Sequence, residues 1–340
     1  MPDGPAPAAP APDAQVAPLV SVRGLTRVFD VSRPWLNRVL ERLPKRYLTA
    51  VSDVSFDVPP RTTYALVGES GSGKSTVGKM LVGLLDPTEG SVEINGIDLA
   101  RESDPGKVAR VRADIQMIFQ DPYASLNPRW RVRDIILEPL VVQGGETEGR
   151  AEALLEQVGL AAEDADKYPH EFSGGQRQRI CIARALSSEP KFIVCDEPTS
   201  ALDVSVQAQV LNLMSDLADE FGLTYLLISH DLTVVRHMAD TVGVLYLGRL
   251  VEEAPPRRLN EVPLHPYTQM LLEAAPRLDA FGREAEVPKG EIPDPISPPP
   301  GCAFHPRCPL AVDRCKRERP ELRRFGETRV ACHRAEESLP

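Results

Sequence analysis

No stretch of this 340-residue sequence approaches the roughly 18 consecutive apolar residues of a membrane-spanning helix. The N-terminus has neither a basic patch nor an apolar run, so no secretory leader is expected and a cytoplasmic setting is. Cations are in deficit: 39 Lys and Arg stand against 49 Asp and Glu, for a formal net charge of −10. A nucleic-acid phosphate backbone would be repelled unless basic residues gathered on one face, so nucleic acid is not an expected partner. No internal repeat is visible. What remains is ordinary globular composition, 42% hydrophobic and 26% charged, in a length sufficient for one large domain and a smaller appendage.

Residues 1–18 are mostly Pro, Ala and polar residues, and a disordered tail is expected because nothing there offsets the entropy of ordering. β-type runs follow at 19–23 and 50–58, separated by an irregular basic insertion over 30–48 that contains Trp35 and Tyr47. The run 64–67 reads as a short apolar strand and 75–85 as the helix after it. Residues 91–99 read as a hairpin, since Asn95-Gly96 is a strong two-residue turn signal. From 121 to 190 the spacing is mainly helical; strands return at 192–195 and 223–229, with a long helix over 204–220 between them. A hairpin around Gly248 is expected over 242–252, and six prolines between Val287 and Gly301 mark a linker. Apolar strands alternating with helices imply a mostly parallel sheet covered on both faces.

The segment Gly68-Glu69-Ser70-Gly71-Ser72-Gly73-Lys74-Ser75, followed by Thr76, matches the phosphate-loop pattern and has the strand before it and helix after it that this chemistry requires. Its glycines let several N–H groups face one anion, and the following helix adds its positive end. Lys74 can reach the β- and γ-phosphates of a nucleotide, and Ser75 can ligate Mg²⁺. The apolar run Phe192 to Cys195 ends in Asp196 and Glu197. In a P-loop enzyme such an Asp holds Mg²⁺, and the adjacent Glu is placed to polarise the attacking water. Plain solvation of a strand end is the competing account of two carboxylates there; their neighbours decide between the two.

Phe172-Ser173-Gly174-Gly175-Gln176 resembles the signature motif of ATP-binding cassette (ABC) ATPases, with Phe where Leu is usual. Gln120 in Phe119-Gln120-Asp121-Pro122 resembles their Q-loop, Ser200 to Asp203 their D-loop, and His230 their switch histidine. The resemblance spans about residues 19–255 and implies a P-loop α/β core with an antiparallel β portion and a helical subdomain over about 121–190. It implies that ATP is bound between two chains arranged head to tail. One chain would supply Lys74, Ser75, Asp196, Glu197 and His230, with Ser75, Gln120 and Asp196 around Mg²⁺. Its partner would supply Ser173, Gly174, Gly175 and Gln176, whose helix tip presents N–H groups to the γ-phosphate. Adenine would stack on an aromatic residue upstream of the P-loop; Phe29 fits the family position, and Tyr47 is its competitor.

Three further segments resemble the ATPases of oligopeptide and dipeptide importers: Asp121 to Arg129, His265-Pro-Tyr-Thr268, and Gly301 to Pro309. Asn127-Pro128-Arg129 together with Glu138-Pro139-Leu140 is most similar to the second, F-type, ATPase of such systems. The resemblance implies import of di- or oligopeptides from the cytoplasmic face of the cell membrane, the chain being peripheral. The implied partners are a second ABC ATPase, two transmembrane permease subunits and an extracellular substrate-binding protein. Relatives that carry nickel, glutathione or opines leave the cargo open. A soluble, non-transport ABC protein is the rival from another class, against which stand the single cassette, the acidic balance and the lack of a basic arm.

Of the six cysteines, Cys181 and Cys195 lie in apolar runs and read as core residues. Cys302, Cys308, Cys315 and Cys332 crowd into residues 301–340, expected as a small Cys-rich module after a helix and Pro-rich linker at 256–300. Such a segment builds little core, and a reducing cytoplasm disfavours structural disulfides. Four thiolates suit an iron–sulfur cluster or tetrahedral zinc, with His305 and His333 as substitute ligands for zinc; bare thiols are the third reading. The resemblance to the peptide-importer group implies a [4Fe–4S] cluster.

Overall fold

The computed structural model describes residues 17–42, 44–274, 291 and 293–338. The expected tail at 1–18 therefore lies outside the described residues, Ala17 and Pro18 excepted, as do residues 275–290 and 292 of the helix and Pro-rich linker expected over 256–300.

The chain opens with β1 (Val20–Asp30), α1 (Trp35–Glu41), β2 (Tyr47–Val58), β3 (Thr63–Val67), α2 (Lys74–Leu81), β4 (Glu89–Ile94) and β5 (Ile97–Asp98). Strands β2-β1-β4-β5, in that order, form an antiparallel sheet. The first strand is longer than its apolar run: pairing continues from Val20 opposite Val58 to Asp30 opposite Tyr47. The insertion over 30–48 is likewise not irregular, since α1 lies within it and ends on Arg42 in the left-handed region. Periodicity registers side chains, whereas a ladder extends wherever backbone groups can still pair. The Asn95-Gly96 turn forms as expected, both residues taking positive φ, 52° and 74°.

The second part comprises α3 (Pro105–Ala113), β6 (Ile115–Ile118), α4 (Pro122–Ser125), α5 (Val132–Val142), α6 (Arg150–Gln157), α7 (Gly174–Leu186), β7 (Phe192–Asp196), α8 (Val204–Phe221), β8 (Thr224–Ser229), α9 (Leu232–Met238), β9 (Thr241–Tyr246) and β10 (Arg249–Ala254). After α10 (Pro256–Glu261) and α11 (Pro266–Ala274) come α12 (Asp313–Arg317) and the hairpin β11 (Arg323–Phe325) and β12 (Thr328–Val330). The main sheet runs β11-β12-β10-β9-β3-β8-β7-β6, and its strands from β9 to β6 are parallel.

Strands β3, β7 and β8 are buried along their whole length, and alternate residues face two different cores. Ala65, Val67, Ile193, Cys195 and Leu227 pack with the helices α5, α6, α7 and α8; Tyr64, Leu66, Phe192, Val194 and Ile228 pack with α2 and the antiparallel sheet. This is the continuous apolar run of a doubly covered strand. Cys181 and Cys195 are core residues, and burial pushes the Cys181 thiol up to about 11 and Cys195 higher still.

The cysteine-bearing end is joined to this core rather than hung beside it. Strand β12 pairs with β10, Glu252 opposite Val330, and Phe304 is fully buried in the core on the helical side of the sheet. A segment too poor in apolar residues for its own core uses the edge of an existing sheet.

Candidate nucleotide site

Strand β3 delivers the chain into the phosphate loop, and two of its glycines are required by geometry. Gly68 has φ 153° and Gly73 has φ 104°; a Cβ on the first would strike the carbonyl oxygen of Leu245, and on the second that of Ala50. Lys74 begins α2 and is only 5% exposed. Its Nζ donates to the carbonyls of Gly68 at 2.7 Å and Glu69 at 2.9 Å, so the lysine is folded across its own loop. Burial lowers the Lys74 pKa, against the pull of the Glu197, Asp196 and Glu69 carboxylates. One position on, the Ser75 hydroxyl donates to Asp196 Oδ1 at 2.9 Å, bringing together two of the three residues expected around Mg²⁺. Burial raises the Asp196 pKa, opposed by that hydrogen bond.

The third, Gln120, lies after β6 and points elsewhere: its Nε2 donates to Glu197 Oε2 at 2.9 Å. His230, after β8, brings Nδ1 to 3.2 Å from the same oxygen. Glu197 itself has φ 49°, and its N–H donates to the Ile228 carbonyl at 2.9 Å. A non-glycine residue in the left-handed region costs about 1–2 kcal/mol, the kind of strain held at functional positions. The turn separates the two carboxylates: Asp196 meets the phosphate loop, and Glu197 meets Gln120 and His230. All of these groups sit at the carboxyl ends of neighbouring parallel strands, where open α/β sheets place their ligands.

Ser173 caps α7 reciprocally with Gln176. The Gln176 N–H donates to Ser173 Oγ at 3.4 Å, and Gln176 Oε1 accepts the Ser173 N–H at 2.9 Å. Ser173, Gly174 and Gln176 are exposed, whereas Gly175 is buried where a Cβ would collide with Val206 of α8. The glycine at 175 is thus explained by close helix packing. Among the described residues, no hydrogen bond joins this helix tip to the phosphate loop, Asp196, Glu197 or His230. At the far end of the β1–β2 ladder, Phe29 carries the Arg27 guanidinium 4.7 Å from its ring centre, and Tyr47 is half-exposed.

Residues 51–200 match the family model described as ABC transporter, and residues 251–315 match the oligopeptide/dipeptide transporter C-terminal region. The chain is 47% identical over 326 residues to the di/tripeptide transport ATP-binding protein DppF of Pseudomonas aeruginosa, covering 94% of this chain and 99% of that protein. It is 51% identical over 292 residues to the oligopeptide transport ATP-binding protein AppF of Bacillus subtilis, covering 84% and 89%. The chain belongs to the oligopeptide/dipeptide family of ABC transporter ATPases. A solved relative, the dimeric post-hydrolysis ATP-binding cassette MJ0796 bound to ADP and phosphate, superposes with a TM-score of 0.59 at 28% identity, over 70% of this chain and 99% of that one. As an ABC ATPase, the chain binds and hydrolyses ATP.

In this ABC ATPase the family-specific C-terminal segment closes directly on the phosphate loop, a connection that no motif announced. The Glu69 N–H donates to the Tyr267 hydroxyl at 2.8 Å, and the Glu69 carboxylate takes two hydrogen bonds from Arg307. Around His265-Pro266-Tyr267 the buried Glu252 carboxylate accepts the N–H groups of Leu264 at 2.7 Å and His265 at 3.0 Å. His265 Nδ1 accepts the Tyr267 N–H at 3.0 Å, and burial pushes its pKa down to about 3. Burial pushes Glu252 the other way, upward.

His265 is therefore neutral in the fold and protonates on unfolding below about pH 6.5, so its contribution is present at neutral pH and is lost as pH falls towards 3. Glu252 has the opposite sign, but only around and above its ordinary carboxylate range. Between pH 7 and 5.5 the parent is expected to lose about 1 kcal/mol more stability than His265→Asn, whose amide oxygen can still accept the Tyr267 N–H. Denaturant melts at the two pH values check this; equal losses would contradict it.

The four C-terminal cysteines are not joined in disulfides and line one small apolar cavity together with His305 and His333. Burial pushes Cys302 and Cys332 up to about 11, and the neighbouring thiols reinforce it. The two histidines are engaged with backbone: His305 Nδ1 lies 3.0 Å from the Cys302 carbonyl and His333 Nε2 lies 2.9 Å from that of Glu318. Among the described residues, no group of three or more His, Cys, Asp or Glu side chains is arranged to hold a metal ion.

Proposed function

We propose that the chain is the ATPase of an importer that takes up di- and oligopeptides, working at the cytoplasmic face of the membrane in a head-to-tail pair with a second ABC ATPase, beneath two permeases fed by an extracellular binding protein. One observation carries the paired arrangement: Lys74, Ser75, Asp196, Glu197, Gln120 and His230 converge within the chain, while the capped Ser173–Gln176 tip remains exposed and unconnected to them. An exposed helix N-terminus with free N–H groups is an anion-binding end, and a second chain's nucleotide supplies the anion. The peptide cargo is supported by the names of the relatives and by the match over residues 251–315. No described helix is long and apolar enough to cross a membrane, which accords with attachment through permeases.

In this reading the loop from Gly68 to Thr76 cradles the phosphates, and Lys74 swings from its own carbonyls to the β- and γ-phosphates. Ser75 and Asp196 hold Mg²⁺, which neutralises charge on the phosphates. Glu197 accepts the proton of the attacking water, and His230 and Gln120, already on its carboxylate, orient it. Phe29 stacks on adenine. The partner's Ser173-type tip completes the site on the γ-phosphate, so ATP closes the pair and hydrolysis opens it.

In this reading the four thiols hold a [4Fe–4S] cluster, which is supported by four soft ligands lining one space and by the resemblance to the peptide-importer ATPases.

Both parts are tested on one preparation, the complex purified without oxygen and reconstituted in vesicles with its binding protein. It should take up labelled dipeptide on addition of ATP and contain about four irons and four sulfides per chain. Purification without permeases would sink the transport reading. Colourless protein with one zinc per chain would sink the cluster.

A further inference from the structure

The Arg307 side chain is 3% exposed and grips Glu69 in a two-pronged fashion, Nη1 to Oε2 at 2.8 Å and Nη2 to Oε1 at 3.0 Å. Its guanidinium carbon lies 6.0 Å from the ring centre of Tyr246 and 5.8 Å from that of Phe304, and its Nε has no partner. Among the described residues, and apart from a weak contact of Nη2 with Met270 Sδ at 3.6 Å, the tie to Glu69 is the side-chain hydrogen bonding of this buried cation. Breaking a fork so enclosed at one end costs far more than breaking a surface ion pair, because it leaves a poorly hydrated charge behind.

What it grips is the second residue of the phosphate loop. Glu69 is fixed at three further points: its N–H by Tyr267, its carbonyl by Lys74 Nζ at 2.9 Å, and the same carbonyl by the Ser72 N–H at 3.2 Å. A carboxylate at this position would otherwise stand beside the most anionic part of the nucleotide. We propose that Arg307 is a positioning residue for ATP: it neutralises the Glu69 carboxylate and draws it out of the phosphate cradle, so that the loop N–H groups and Lys74 meet the phosphates without a competing anion.

Arg307 also lies in the turn between Cys302 and Cys308. That turn is held by the Cys302 N–H on the Cys315 carbonyl at 2.8 Å and the Arg307 N–H on the Phe304 carbonyl at 3.0 Å. Two of the four thiols thus share a turn with the arginine, and a displacement of that turn reaches the ATP site through one side chain. The tie rests on the Arg307–Glu69 pair alone, whatever the thiols hold.

The test uses the full chain, titrated with MgATPγS, alongside its thermal midpoint without nucleotide. Arg307→Gln should raise the Kd about tenfold or more, because Glu69 then faces the phosphates unpaired. Adding Glu69→Gln to that variant should recover most of the loss, since the stranded charge is gone. A role confined to holding the C-terminal turn would lower the midpoint of both variants and give no such recovery. Should Arg307→Gln not fold, Arg307→Lys keeps a cation beside Glu69 and should hold the Kd within a few-fold of the parent, and a tenfold weaker Kd in that variant would overturn the proposal. An unchanged Kd in the single variant, or a double variant as weak as the single one, overturns the proposal.

Discussion

Glu197→Gln should lower ATP turnover by about a thousandfold while ATP still binds, the usual scale for losing a positioned general base. The reason is visible around the carboxylate. Its Oε2 accepts from Gln120 and faces His230 Nδ1, and the left-handed turn at Glu197 aims it away from Asp196. An amide fits the same space and can keep a hydrogen bond to His230, yet it cannot take a proton from water. Binding groups on the other side of the turn, Lys74, Ser75 and Asp196, are untouched. The substituted chain, mixed with its partner and MgATP, should therefore accumulate as a closed pair, seen as an ATP-dependent shift in size-exclusion chromatography. Turnover within a few-fold of the parent would remove Glu197 from the catalytic role.

The second large effect is on binding. Lys74→Ala should weaken ATP affinity by about a hundredfold or more, because a buried, charge-assisted contact to two phosphates is lost with nothing to replace it. The empty chain should hardly notice. The carbonyls of Gly68 and Glu69 lose a donor, but burial of an ammonium group, whose cost shows in its lowered pKa, is relieved at the same time. Melting curves check both halves: the midpoint without nucleotide should stay near that of the parent, and the rise on adding MgATP should vanish. A persisting ATP-induced rise would mean that the loop backbone alone grips the phosphates.

Much of this site was legible in the chain itself, for a physical reason. A phosphate cradle depends on backbone N–H groups from consecutive residues, so its requirements are written contiguously, as glycines at 68 and 73 that no side chain could replace. The same holds for strands β3, β7 and β8, whose unbroken apolar runs announce burial on both faces, and for the Asn95-Gly96 turn. Ser173 and Gln176 were marked by their resemblance to the signature motif, and the fold adds that they cap the helix reciprocally across three residues.

Other features depend on contacts between distant segments, and no window of sequence contains them. The length of β1 follows from pairing with β2, not from side-chain pattern. Gly175 has the form of a phosphate-binding glycine, but the packing of α7 on α8 is what demands it. Gln120 was expected beside Asp196 at the metal and instead meets Glu197.

Sequence by itself determined that this chain would carry a nucleotide loop, an acidic strand end and a doubly covered sheet, because each is specified by neighbouring residues and short-range sterics. Only the tertiary structure decided that the cysteine-bearing end completes the main sheet and reaches the phosphate loop through Arg307, where Tyr267 of α11 also meets it. Arg307 and Glu69 are 238 residues apart, and only the fold that buries both ends brings such a pair together.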